Sequence, residues 1–175
     1  LESLLDVALE LKKLNRKDIK LVFIGEGSHK KDLQKRAKQE ELNNCLFINS
    51  IPKIKLAKIL SNSVHVGLMV LRDIPAFYEG TSPNKFFDYI AAGIPVITNY
   101  PGWISELIIN YKMGYSIKPN NPVDFAKALI YLADNKLDLR EKGFNARNLA
   151  ENNFSKNKLA SEWRNVLEDV VNYRK

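Results

Sequence analysis

The 175 residues suffice for one domain with a full hydrophobic core, and the single cysteine, Cys45, excludes an internal disulfide and points to a reducing compartment. Apolar residues make up 45% and charged residues 27%, ordinary for a globular protein, and no apolar run approaches the roughly 20 residues of a membrane span. The net charge of +7 comes from lysines scattered along helices rather than massed in one run; it reads as general surface charge with a modest preference for anions, and no nucleic-acid motif accompanies it.

The chain opens with "LLDVALELKKL", apolar at helical spacing and already inside a helix, as expected of a piece of something longer. "IKLVFIG" reads as a buried strand ended by glycine, "KKDLQKRAKQEE" as a helix and "CLFI" as a short strand. "IKLAKILSNS" is helical and "VHVGLMVL" extended. The helix "SPNKFFDYIAAG" precedes the strand "IPVITN", and the short helix "WISELIIN" precedes the strand "GYSIKP". Helices over about 122–134, 137–152 and 156–172 complete the chain. Strands that are continuous Val/Ile/Leu runs, alternating with helices, predict a parallel sheet covered on both faces. The expected fold class is therefore α/β: one doubly wound, Rossmann-like domain of about five strands, with binding chemistry in the loops after the strands' carboxyl ends.

Three such loops stand out. In "IGEGSHKKDL", Gly25 and Gly27 follow a strand and a helix is expected from Ser28 or His29. Glycines there permit a sharp turn or a close ligand approach, but position 30 is lysine and neither a G-x-G-x-x-G nor a Walker A pattern is completed. In "YEGTSPNKFFDYIAAGIPVI", Ser82 is a candidate N-cap and Pro83 a candidate first helical residue. The free amides around Thr81 and Ser82, followed by Asn84 and Lys85, would suit a phosphate. Asp88 lies two turns into the helix, at a distance that suits the ribose of a nucleotide, although Lys85 and Asp88 at i,i+3 equally describe a surface ion pair. "NYPGWISEL" supplies a third loop, with Glu106 facing the same cleft. His29 and His65 lack a nucleophile pattern, Trp103 and Trp163 read as packing residues, Cys45 as inert, and no metal-ligand spacing is present.

The segments "FIGEGSHKKDLQKRA", "LFINSIPKIKLAKILSNSVHVGLMVL", "EGTSPNKFFDYIAAGIPVIT" and "GWISELIINYKMGYSIKPNNPVDFAKAL" occur in an order that resembles the carboxyl-terminal domain of family 4, GT-B fold glycosyltransferases. The third resembles the subgroup that builds O-antigen and capsule, including N-acetylfucosaminyltransferases. The resemblance implies one half of a GT-B fold: a single donor-binding domain over 1–175 that lacks its first strand, with a helix over 156–175 that packs toward an absent acceptor domain. It implies transfer of a sugar from a nucleotide diphosphate donor, a UDP sugar, to a polysaccharide or lipid-linked acceptor with retention, without metal or cofactor. It further implies a cytoplasmic enzyme, with peripheral association at the inner face of the bacterial membrane, whose isolated fragment is inactive. Asp88 matches the carboxylate implied to bond the ribose hydroxyls. Glu79 matches the catalytic carboxylate implied to contact the donor sugar, with one more residue between the two than the family spacing has. Thr81, Ser82, Asn84 and Lys85 match the phosphate stretch, Gly25 and Gly27 the first glycine loop, and Ile51 the position where backbone recognises the base. A non-hydrolysing UDP-sugar 2-epimerase and a non-catalytic nucleotide-binding module are the alternatives.

Overall fold

The computed structural model describes residues 1–78 and 80–173. Eight α-helices and five strands alternate among them: α1 Glu2–Lys13, β1 Leu21–Ile24, α2 Lys30–Gln39, β2 Cys45–Ile48, α3 Lys53–Ser63, β3 Gly67–Met69, α4 Asn84–Ala91, β4 Val96–Thr98, α5 Trp103–Asn110, β5 Gly114–Ser116, α6 Pro122–Asp134, α7 Lys136–Asn153 and α8 Lys156–Tyr173. A 3₁₀ turn, Pro75–Phe77, interrupts the loop between β3 and α4. All strand pairs are parallel. None of the helices is long and apolar enough to cross a membrane.

The strands form two sheets rather than the single one expected, in the orders β1-β2 and β3-β4-β5. Leu21 of β1 and Ile97 of β4 nevertheless belong to one core with Val70, α1 and α6, so the sheets converge on shared packing. What separates them is that, among the described residues, no strand pairs with the outer edge of β1 or of β3. β4 is the central strand of its sheet, and Val96, Ile97 and Thr98 are all buried. Ile97 faces the core built by α1 and α6, while Val96 faces a second core built by α4, α5 and α7. This two-sided burial is why "IPVIT" carries no alternation.

The expectation of two covered faces fails at β1-β2. Leu21, Phe23, Cys45 and Phe47 point into the core, whereas Val22, Leu46 and Ile48 on the opposite face are exposed. The helix that follows β2 does not shield them: α3 buries only Leu60 and leaves Ile54 exposed.

α4 is held most firmly at its carboxyl end. Gly93 adopts φ +69°, its N–H donates to the Ile90 carbonyl at 3.0 Å, and the Ile94 N–H donates to the Tyr89 carbonyl at 3.0 Å. This is a Schellman ending, which requires the left-handed residue that glycine supplies. Arg147 of α7 donates to the Ala91 carbonyl, placing a cation on the helix's negative end. α7 comes this close because Gly143 has no side chain: a Cβ there would stand 2.5 Å from the Gly93 carbonyl oxygen. Gly143→Ala should therefore push α7 off α4 and cost about 1–3 kcal/mol, the range for overpacking. For a domain of this size that is a fall in Tm of several degrees, readable by calorimetry.

Candidate functional site

The carboxyl ends of the parallel strands bring the sequence-predicted residues to one rim. Gly25 ends β1 at φ +140°, and α2 begins at Lys30, one to two residues later than expected, with His29 preceding it. Lys30 fills that turn: its ammonium donates to the Gly25 carbonyl at 3.0 Å, to Glu26 Oε1 at 2.9 Å and to Asn49 Oδ1 at 2.7 Å. A lysine was therefore required where a glycine-rich loop would have had a third glycine, because it ties the ends of β1 and β2 together.

From Asn49 the chain continues through Ile51 to Lys53, at the start of α3. Lys53 Nζ lies 3.5 Å from Asp88 Oδ1. This bridge joins the β2–α3 loop to α4, so that Ile51 and Asp88 border the same cleft. Asp88 pairs with Lys53 and not with Lys85, so the i,i+3 surface pair does not form. Lys53 was missed because its partner lies 35 positions away and lysines abound in the sequence. The bridge is exposed on the lysine side and contributes on the order of 0–1 kcal/mol; its importance is positional.

α4 does not start as expected. Ser82 is not an N-cap; Pro83 takes that position, extended at ψ 128°, and no side chain caps the helix. The ring of Pro83 holds φ at −80° and removes one N–H from the turn. The Phe86 N–H donates to the Pro83 carbonyl at 3.0 Å, whereas the Asn84 and Lys85 amides have no intrahelical acceptor. The amino end of α4 is thus open, with the positive end of its dipole outward. Much of Lys85 is accessible to solvent, yet the surroundings of its ammonium group are desolvating enough to lower its pKa. Glu79 lies outside the described residues.

The preceding loop is braced from several sides. The Tyr78 hydroxyl donates to Asp73, which pushes the phenol up to about 12, and the Tyr78 ring stacks on Tyr100 at 6.3 Å. The Thr81 hydroxyl donates to the Phe77 carbonyl. The Trp103 indole N–H donates to the Thr81 carbonyl at 3.1 Å, giving this packing residue a polar task as well. Gly102, at φ +108°, turns the chain into α5, and Glu106 is exposed.

A cavity of about 220 Å³ lies further along the rim, between the start of α1 and the ends of β4 and β5, lined by Asp6, Val70, Asn99, Lys118 and Asn120 among others. It is smaller than the roughly 300–1,000 Å³ of small-molecule sites, and none of the predicted residues borders it. His65 is exposed just before β3 rather than within it, and His29 is exposed 3.8 Å from Asp32. Trp163 is exposed on α8, not packed.

Residues 1–152 match the family described as Glycosyl transferases group 1. The chain belongs to this family. It is 21% identical to an uncharacterized glycosyltransferase of Methanocaldococcus jannaschii over 172 residues, 98% of this chain and 42% of the relative. The chain therefore spans less than half the length of the curated relative it matches. It superposes on S. aureus TarM, solved with UDP, α-GlcNAc-glycerol and fondaparinux, with a TM-score of 0.74 at 22% identity, covering 94% of this chain and 32% of that one. The C-terminal domain of a group 1 glycosyltransferase, LpcC, from Francisella tularensis gives a TM-score of 0.68 at 20% identity, covering 88% of this chain and 78% of that one. The fold is of the α/β GT-B type, and this group 1 domain is one Rossmann-like half of it.

Burial pushes the Cys45 thiol up to about 11. Because the thiolate is the nucleophile, raising the pKa lowers reactivity at neutral pH. Cys45 should label with iodoacetamide on the order of 100-fold more slowly than free cysteine at pH 8, accelerating as pH rises toward 11.

Proposed function

We propose that this domain binds the diphosphate of a nucleotide-sugar donor at the amino end of α4 and its ribose at Asp88, within an enzyme that transfers the sugar to a polysaccharide or lipid-linked acceptor. The observation that carries this reading is the open helix end, with the Asn84 and Lys85 amides unpaired in the helix, next to a carboxylate that Lys53 draws toward the β2–α3 loop. Membership of the group 1 family favours it over an epimerase or a non-catalytic module. The donor is a UDP sugar, and the S. aureus TarM structure with UDP supports that choice of base. As the donor bond breaks, negative charge accumulates on the leaving diphosphate. Fixed amide dipoles and the Lys85 ammonium stabilise that charge without reorganisation and without a metal or cofactor. Glu79 contacts the donor sugar, transfer proceeds with retention, and Ile51 presents backbone to the base. Gly25 and Gly27 shape the neighbouring turn.

The acceptor half belongs to the portion of the enzyme beyond these residues, and α8 packs toward it. The products are surface polysaccharides such as lipopolysaccharide or capsule, assembled in the cytoplasm at the inner membrane face, and the amino-sugar donor follows from the likeness to N-acetylfucosaminyltransferases. The same reading accounts for the split sheet. A strand entering between β1 and β3 would complete the order β2-β1-new-β3-β4-β5, the doubly wound 3-2-1-4-5-6 arrangement.

Titration of the intact protein with UDP, GDP and dTDP should shift the resonances of Ser82, Lys85 and Asp88, most strongly with UDP; silence at all three would overturn the donor site. Asp88→Asn should weaken UDP about 10-fold or more, the scale of a hydrogen bond to a charged group, and should abolish discrimination between UDP and its 2′-deoxy analogue while leaving Tm unchanged. Lys85 binds anions only when protonated, and its pKa is lowered. UDP affinity should therefore decline with rising pH earlier than an ordinary lysine would dictate, and Lys85→Met should flatten the profile. The amides of Val22, Ile24 and Leu68 point away from their paired strands; they should exchange freely in residues 1–175 alone and far more slowly in the intact protein.

A further inference from the structure

We infer that Trp103 is a positioning residue for the donor diphosphate, acting through the peptide between Thr81 and Ser82; this rests on the donor site proposed above. The indole N–H donates to the Thr81 carbonyl at 3.1 Å. A trans peptide is planar, with its C=O and N–H pointing in opposite directions. Fixing the Thr81 carbonyl toward the indole therefore aims the Ser82 N–H the other way, out of the protein, where Ser82 is exposed beside the open end of α4. The indole can do this because it is itself immobilised. Its ring meets Phe86 edge-on at 6.1 Å and Phe87 at 6.3 Å, and Phe87 in turn meets Phe154 at 5.2 Å. Those contacts run from α4 through α5 to the end of α7, so the bond references the loop to the domain core. Phe86 is fully buried.

Without this bond the 81–82 peptide is restrained on this side only by the Thr81 hydroxyl's bond to the Phe77 carbonyl. It could then rotate as a unit, carrying the Ser82 amide away from its aim. Pro83 cannot compensate, because it has no N–H to offer. The tryptophan thus supplies through a carbonyl what no side-chain cap supplies at this helix start.

The test is Trp103→Phe, which keeps an aromatic ring among Phe86, Phe87 and Phe154 and removes the donor. UDP and uridine binding are measured on the intact protein by calorimetry or resonance shifts. UDP should bind about three- to tenfold more weakly, the scale of one lost hydrogen bond. Uridine, which has no phosphates, should bind as it does to the unaltered protein. Ser82→Pro deletes the aimed amide itself and should weaken UDP comparably, and adding Trp103→Phe to it should cause little further loss, as for two changes on one interaction. Equal weakening of UDP and uridine, or full additivity, would overturn the positioning role and leave the donor site standing. Failure of the unaltered protein to bind UDP would overturn the donor site and this inference with it.

Discussion

The contact on which the site depends is the backbone-to-backbone approach of Gly143 to Gly93. It allows α7 to lie directly on the end of α4, and Arg147 then reaches the Ala91 carbonyl from one turn further along α7. A helix of eight residues has little stability of its own and must be placed by tertiary packing. Here the packing is concentrated at the carboxyl end and along the stripe of Phe86 and Ile90, both fully buried. The amino end is left without an internal cap. A helix anchored at its negative end and open at its positive end presents fixed dipoles at no cost of reorganisation when an anion arrives, and the apolar stripe orients Lys85 and Asp88 away from the core.

The residues around the rim are linked by cations more than by carboxylates. Lys30 joins the β1 and β2 ends, Lys53 joins the β2–α3 loop to α4, and Lys85 stands in the first turn of α4. Lys30 is committed to four oxygens and is largely buried, so its charge is spent on structure. Lys53 is mostly exposed and holds Asp88 at only 3.5 Å, a grip that a ligand hydroxyl can replace. Lys85 makes no ion pair among the described residues. The three lysines thus grade from structural to available along the direction in which a nucleotide would lie, which explains how a basic rim avoids simple charge repulsion.

Element order and the helix–strand alternation were legible because each strand is a short apolar run closed by Gly, Pro or Asn, and each helix keeps its period. "AAGIP" announced the end of α4, since only glycine takes φ +69° there without strain. The start of α4 was misread: Ser82-Pro83 has the form of a cap followed by a first helical residue, but the hydrogen bond that decides the geometry comes from Trp103, 22 positions away. No local pattern carries such a bond. The Lys53–Asp88 pairing was hidden for the same reason, and a local i,i+3 partner for Asp88 stood in its place. The division of the sheet was not legible from these residues because strand runs report burial, not neighbours.

That division has a consequence for how the site is built. β1-β2 carries the Gly25 turn and the approach to Ile51, while β3-β4-β5 carries α4 and the Trp103 brace. Two links join the halves on the page: the shared core of Leu21, Val70 and Ile97 beneath, and the Lys53–Asp88 bridge above. The core is apolar and non-directional, so it fixes proximity but not the relative register of the two rims. The bridge is a single exposed contact and fixes it weakly. A strand hydrogen-bonded to both free edges would instead lock the spacing to the roughly 4.8 Å repeat of a sheet and set the angle by its twist. On this argument the ribose and base side of the site is more loosely defined in the isolated domain than the phosphate side, whose geometry lies wholly within one sheet and its helices. Diphosphate recognition should survive in these residues alone, while selection among bases belongs to the completed sheet.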